Sequence, residues 1–412
     1  MINSSFPGRS RGTRTVDEHR TLVLEMARTH TQTTESVLVS DGLNRILSED
    51  LRARWDIPRF AQSAMDGFAV RFSDFLENPG GIPITTEIFA GESPEPLAFH
   101  TAARIMTGAA VPEGADTVIR FEDALVGPSP SSDSMILLPP RHGAGTHIRF
   151  PGEDVRTGDT VMVAGTRLDS RHVGALAALG YDRVPVMKQP RVSVITTGDE
   201  LLAVGEQPER AQIIDSNGPY LVAALSGVGA LVSHVRCGDN PEEFEGLMEQ
   251  CGDSDLIVVT GGASVGDRDV ARDVLRPQGV SYVSVLMQPG KPQGAGLWHG
   301  TPVLSLPGNP VSVAVSHCVF VRPLLDAMLG VTPPEPRWGQ VTHGWTSTEN
   351  RRQYYPVRTT ETREGCLIEP ATPGGAGSHL VTSLARATAF AVVPETHVDV
   401  NPGDRLELLD ID

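Results

Sequence analysis

Between residues 190 and 330 the apolar positions fall into short blocks, separated by stretches where apolar and polar residues recur at helical spacing. Arg191–Thr196, Ala230–Arg236, Leu256–Thr260, Val280–Leu286 and Pro302–Leu306 are short enough for strands buried on both faces. Asp215–Gly227, Pro241–Cys251, Asp267–Leu275 and Val311–Leu329 read as helices. Strand, helix, strand at this spacing predicts βαβ units and a mostly parallel sheet covered on both sides.

Elsewhere the pattern changes. Met1–Arg14 is rich in Ser, Gly and Arg and reads as a disordered tail, not a signal peptide. Val16–Thr29 predicts a helix capped by Thr15. From Pro58 to about Pro151, Gly or Pro interrupts the chain every few residues, the punctuation of an all-β module. Thr157-Gly-Asp159 marks a turn, and Ser170 caps a helix over about Arg171–Leu179. Pro333, Pro334 and Pro336 look like a linker, after which short β runs return at Tyr354–Thr359, Phe390–Val393 and Arg405–Leu409. The predicted division is a tail (1–15), a helical and linking part from two stretches (16–57 and 151–185), an inserted β domain (58–150), an α/β domain (186–332) and a C-terminal β domain (333–412).

Three Gly-rich turns follow apolar runs: Thr260-Gly-Gly-Ala-Ser-Val-Gly266, Gln288-Pro-Gly-Lys-Pro292 and Leu306-Pro-Gly-Asn-Pro310. Glycines let main-chain N–H groups crowd around an anion, and a following helix adds the positive end of its dipole. Turns of this kind at the carboxyl edge of one sheet predict a crevice for a small phosphorylated or oxyanionic ligand.

Lys plus Arg is 34 and Asp plus Glu is 51, a formal charge of −17. That argues against non-specific nucleic-acid binding and means that an anion has to be held by local features. The 4 cysteines contain no Cys-x-x-Cys pair, and the 12 histidines show no zinc-like spacing. The longest apolar segment, Val311–Leu329, carries His317, Arg322, Pro323 and Asp326 and reads as too broken to span a bilayer. The expectation is a cytoplasmic protein without a membrane or nucleic-acid partner.

Thr196-Thr-Gly-Asp-Glu-Leu201 puts a carboxylate pair after the first α/β strand, suited to a divalent cation or simply to capping the next segment. Gly262-x-Ser264-x-Gly266 matches a nucleophile elbow, although no downstream histidine is set off by its context. Lys291, on a stiff short turn, is poised for an oxyanion or merely solvated. Asp66-Gly67 alone signals a hairpin turn.

Seven motifs together go further. Ser63-Ala-Met-Asp-Gly-Phe-Ala-Val70, Ile105-Met-Thr-Gly108 with Pro112-x-Gly-Ala-Asp116, Gly152-Glu-Asp154, Thr197-Gly-Asp-Glu-Leu201, Gly261-Gly-x-Ser-Val-Gly266, Pro289-Gly-Lys-Pro292 and Leu306-Pro-Gly-Asn-Pro-Val311 occur in one order. In that order the chain resembles the MoeA-type molybdopterin molybdenumtransferases, the family of the gephyrin enzymatic domain, over about residues 16–412. The resemblance implies a multidomain α/β plus β protein: a MogA-like α/β molybdopterin-binding domain, an inserted β domain and a C-terminal β-barrel. It implies a homodimer that takes adenylyl-molybdopterin and molybdate, inserts molybdenum at the dithiolene sulfurs and releases AMP with Mg2+. A further implied partner is the protein that forms adenylyl-molybdopterin.

By motif match, Asp66, Thr107, Glu200 and Asp269 carry over as catalytic positions. Gly261, Gly262, Ser264, Gly266, Asp239, Lys291, Pro307, Gly308, Asn309, Ser312, Arg352 and Ser378 carry over as substrate contacts, and Glu200, Asp269 and Asp154 as metal ligands. Glu200 and Asp269 are expected on turns with little core packing. Gln288 and Ser284 stand where the family often has lysine. Two other readings remain open here: a molybdopterin-binding scaffold without turnover, and a serine hydrolase using Ser264.

Overall fold

The computed structural model describes residues 12–128, 135–138, 144–261, 269–372 and 375–411, so residues 1–11 of the expected tail lie outside the described residues. The chain forms two compact units, one of residues 1–49, 164–171 and 183–412 and the other of residues 50–163 and 172–182.

The first unit is built on a seven-stranded sheet. Its strands are β1 (Thr13–Arg14), β2 (Arg191–Thr197), β3 (Leu231–Cys237), β4 (Leu256–Thr260), β5 (Ser281–Val285), β6 (Pro292–Trp298) and β7 (Thr301–Leu306), in the spatial order β1-β5-β6-β7-β4-β2-β3. β2 pairs in parallel with β3 and β4, and β4 in parallel with β7, so these strands end at one edge. β6 is the exception, antiparallel to both β5 and β7. Thr13 and Arg14, assigned by composition to the tail, instead pair in parallel with Ser284 and Val285. A strand edge exposed at β5 offers unpaired backbone groups, and these two residues cover it.

The helices are α1 (Val16–Glu25), α2 (Asn217–Gly227), α3 (Pro241–Gln250), α4 (Val270–Leu275), α5 (Pro310–Ser316) and α6 (Arg322–Met328). Thr15 caps α1 as expected, and Glu18 reaches back to complete a reciprocal capping box. Alternate residues of the central strands feed two cores: Val192, Val194 and Val258 pack with Leu221 and Leu225 of α2, while Ile195, Ile257 and Val259 pack with Phe244 of α3 and Leu275 of α4. This is the double-sided burial that the continuous apolar runs require.

The segment expected as the last helix is one helical run, α5 and α6 joined by a π-helical turn over His317–Val321. Pro310–Met328 is long and apolar enough to cross a bilayer, but 78% of its most apolar window is buried inside the protein. Its apolarity is that of a core helix. The C-terminal part of this unit contains five strands, β8 (Arg337–Val341), β9 (Arg352–Thr362), β10 (Gly365–Pro370), β11 (Ala389–Val393) and β12 (Arg405–Asp410), paired in a closed circuit β9-β10-β8-β12-β11-β9. Closure removes the free edges, giving the expected barrel.

The second unit is mainly β, as the punctuation between Pro58 and Pro151 predicts. Gly67–Val70, Ala102–Ile105, Thr117–Arg120, Ile82–Ile88, Met135–Leu137 and Val126–Pro128 form a six-stranded sheet. Phe68 and Val70 join one buried cluster and Ala69 the other, the period-two alternation of a strand.

His19 of α1 is 1% exposed, stacked edge-on against Phe320, with neither ring nitrogen hydrogen-bonded among the described residues. Burial, reinforced by the Arg14 charge, lowers its pKa to about 4. The unfolded chain then binds the extra proton below its ordinary value near 6.5 while the fold resists it down to about 4. Stability present above that ordinary value is therefore lost as pH falls through this window, by about 3 kcal/mol in total. Urea unfolding of wild type and His19→Leu across pH 4–7 should show a smaller loss in the variant. Parallel curves would show that His19 does not titrate in the fold.

Candidate functional site

A cavity of about 700 Å3 opens at the carboxyl edge of the sheet, lined by Thr197, Glu200, Asp215, Asn217, Thr260, Gly261, Gln288, Lys291, Pro307, Asn309 and Ser378, among others. The loops after β2, β4 and β7 meet there because these parallel strands all point their last residues the same way. The loops are cross-tied. Asn217 donates from Nδ2 to Thr260 Oγ1 (3.1 Å) and to the Gly308 carbonyl (2.7 Å), and Thr260 Oγ1 donates to the Pro307 carbonyl (3.0 Å).

Gly261 explains its own identity. It sits at φ +91°, and a Cβ there would lie 2.3 Å from the Thr197 carbonyl oxygen. Only glycine lets the β4 turn pass this close to the end of β2. The Lys291 turn has a separate support: buried Gln293 donates to the Gly290 carbonyl (2.8 Å) and to Ser316 Oγ (2.7 Å). Val285 N–H donates to the Lys291 carbonyl at 2.7 Å. The turn is therefore pinned to β5 and α5 while the Lys291 side chain stays exposed at the cavity.

Of the positions carried over by motif, the structure brings Glu200, Asp239, Gly261, Lys291, Pro307, Gly308, Asn309, Ser312 and Ser378 to this cavity. Asn309 Nδ2 donates to Ser378 Oγ at 3.1 Å, and the Ser378 carbonyl accepts from Val311 N–H at the start of α5. Gly262, Ser264 and Gly266 lie outside the described residues. Asp66 and Thr107 belong to the other compact unit. There the Asp66 Oδ1 accepts from both Thr107 N–H (2.6 Å) and Thr107 Oγ1 (2.7 Å), bonds that hold its carboxyl below the usual range and keep it ionised. Asp56 and Thr157 repeat the same clip in that unit, both bonds at 2.7 Å. The arrangement thus serves loop geometry whatever else it does.

Three of the carried-over positions lie away from the cavity lining. Asp269 does not line the cavity: it is 3% exposed, caps α4 by accepting from Arg272 N–H at 2.9 Å, and so carries substantial core packing. Asp154 is exposed in the other unit. Arg352 is held by Asp17 through two bonds of 2.8 Å and by Glu395 at 3.2 Å, and it too is absent from the lining. Its neighbour Arg351 is the guanidinium that reaches the cavity wall, donating to Gln288 Oε1 at 3.3 Å. Adjacent residues entering a strand turn to opposite sides, so Arg351 and Arg352 meet different partners. Ser284 is held in β5, with its N–H donating to the Gly12 carbonyl, and does not line the cavity.

No group of three or more His, Cys, Asp or Glu side chains is placed to hold a metal among the described residues. Glu200 and Asp239 are the motif-matched carboxylates at the cavity. That donor set fits Mg2+, which commonly takes one or two carboxylates and completes its octahedron with water and substrate phosphate. Burial and the nearby Glu243, Asp239 and Asp199 push the thiol of Cys237, at the end of β3, up to about 11.

Family models agree with this architecture. Residues 14–180 match the MoeA N-terminal region (domains I and II), residues 193–327 a probable molybdopterin-binding domain, and residues 339–411 the MoeA C-terminal region (domain IV). A molybdopterin molybdenumtransferase 2 of Mycobacterium tuberculosis is 36% identical over 97% of this chain and all of its own length. The chain belongs to the molybdopterin molybdenumtransferase family. A molybdopterin molybdenumtransferase of Haemophilus influenzae is 32% identical over 96% of this chain and 98% of its own. The solved molybdopterin biosynthesis MoeA protein from Pyrococcus horikosii is 30% identical, with a TM-score of 0.75, covering 97% of this chain and 99% of that one. The family consists of transferases of molybdenum cofactor biosynthesis.

Removing the α4 cap should be felt in stability. Asp269→Ala is expected to lose about 1–2 kcal/mol, and Asp269→Asn, which keeps the accepting oxygen, much less. Chemical denaturation of the two variants checks this, and equal stabilities would mean that the cap is dispensable.

Proposed function

We propose that this chain inserts molybdenum from molybdate into adenylyl-molybdopterin, giving molybdenum cofactor and releasing AMP. The observation that supports this reading best is the cavity itself. Its Gly-rich loops, exposed Lys291 and the exposed carboxylates of Glu200 and Asp239 suit a ligand that is both anionic and able to share a divalent cation. In the reaction an oxygen nucleophile adds to the adenylyl phosphorus as the bond to the pterin phosphate breaks, and AMP leaves. Molybdenum–sulfur bonds replace a molybdenum–oxygen bond at the dithiolene, the displaced oxygen leaving as water with the two thiol protons. The Gly261 and Gly308 turns hold phosphate and molybdate oxygens through main-chain N–H groups. Lys291 adds a point charge, and Arg351, anchored on Gln288, supplies a second cation where the family often has lysine. Glu200 and Asp239 would hold Mg2+, whose charge would offset that of the pyrophosphate. We place the protein in the cytoplasm, acting as a homodimer that receives its substrate from the adenylyl-molybdopterin-forming protein. Asp66 and Thr107 complete the site from a second copy of the chain.

Molybdate-dependent AMP release from adenylyl-molybdopterin by the purified protein tests the reading, and tight binding without release would favour a scaffold instead. Mixing Asp66→Ala with Glu200→Ala subunits should restore part of the activity. Folded, exchanging subunits that stay dead would refute the shared site. Lys291→Ala should raise the half-saturating molybdate concentration by roughly one to two decades, the loss of one charge-assisted hydrogen bond. Gln288→Lys should lower it, with the gain fading as salt is added. Unchanged half-saturation in both would leave the backbone N–H groups as the anion ligands.

A further inference from the structure

His234 lies on the edge strand β3 and does not line the cavity. Its register partner is Val194 of β2, so its side chain emerges on the face that α2 covers, level with Val194 and just short of Thr196. There Nε2 lies 3.0 Å from Thr196 Oγ1 and 3.2 Å from Asp215 Oδ2. Thr196 Oγ1 gives its own proton to Asp215 Oδ2 at 2.8 Å, so the imidazole nitrogen that approaches both oxygens is a donor. The other carboxylate oxygen, Asp215 Oδ1, accepts from Asn217 N–H and Gly218 N–H at 3.0 Å each. Asp215 is 3% exposed, and every described contact of its carboxylate is a donor from this group.

We propose that His234 is a positioning residue of the cavity, acting through Asp215 to fix the first turn of α2 and the Asn217 amide. The chain of contacts is continuous: imidazole to carboxylate, carboxylate to the Asn217 and Gly218 amides, and the Asn217 side chain to Thr260 and Gly308. Gly218 carries the second mark of this design. A Cβ at that residue would lie 2.2 Å from His234 Cε1 and Nε2, so the imidazole is seated against a bare α-carbon. Its backbone is not in the left-handed region, and helical position alone favours alanine there. The glycine is explained by the ring. Leaving Asp215 buried without the imidazole donor would weaken its grip on the helix start, and Asn217 would lose its fixed place between the loops.

The inference rests on the proposed ligand site only for its effect on binding, and two measurements separate the two claims. Hydrogen exchange over residues 215–221 should be about tenfold faster in His234→Leu than in wild type, with the β-barrel unchanged. Gly218→Ala, which forces the ring away, should do the same. His234→Gln, which restores a donor, should return exchange to within about twofold of wild type. AMP, used as the probe in calorimetry, should bind about fivefold more weakly to His234→Leu and Gly218→Ala and nearly normally to His234→Gln. Unchanged exchange in folded His234→Leu and Gly218→Ala overturns the proposal. Wild-type protein that fails to bind AMP, while exchange responds as stated, overturns the molybdenum-transfer reading and leaves the positioning role standing.

Discussion

Strands that run parallel and are buried on both faces end together, and the loops leaving them have to be tied down without a neighbouring strand to do it. In this chain one carboxamide meets most of that need. Asn217 spans the β4 and β7 loops, so neither can open without breaking a hydrogen bond to the first turn of α2. The cavity's shape follows from that bridge. Loops that would otherwise be the loosest parts of an α/β fold are held as a preformed wall, which is what fixed N–H donors need if they are to meet an anion without reorganising. The Lys291 turn obeys the same logic by other means, through Gln293 and Ser316.

The charge balance makes this rigidity necessary. A protein of formal charge −17 repels an anionic substrate at long range, and the cavity wall itself carries Glu200, Asp215 and Asp239. One lysine and one glutamine-anchored arginine are a small cationic complement. Under the proposed function, affinity for oxyanions has to come from oriented dipoles at short range. Asp215 is best read in that light: its charge is spent inward, on two backbone amides, a hydroxyl and an imidazole, and it does not face the ligand as a bare carboxylate.

Much of the fold was legible because strands buried on both faces leave uninterrupted Val/Ile/Leu runs, and β2, β4 and β7 sit within a residue or so of their expected bounds. β6 was not legible. Its Gly294 and Gly296 break the apolar run, and the structure shows why they are there: side chains at either position would collide with Tyr282 and Ser305 or with Val280. β1 was hidden because two residues carry no periodicity. At the site, the Gly-rich turns announced themselves through composition, whereas Asp269 illustrates a true ambiguity. A carboxylate before a helix looks the same in sequence whether it holds a ligand or caps the helix. Arg351 and Arg352 could not be separated by pattern either, since only pairing tells which one meets Asp17 and which meets Gln288. Asp215 and His234 escaped notice because their partnership spans α2 and appears only once β2 and β3 are side by side.

The Ser378 contact with Asn309 has a consequence for the order of events at the ribosome. The cavity is bounded by residues from Thr197 to Ser378, and its last contributor comes from the segment between two strands of the closed barrel. A nascent chain can complete the central parallel strands of the sheet as soon as β7 emerges, yet the rim of the pocket waits for about seventy residues more of synthesis. Completion of the pocket is thereby tied to a nearly finished polypeptide.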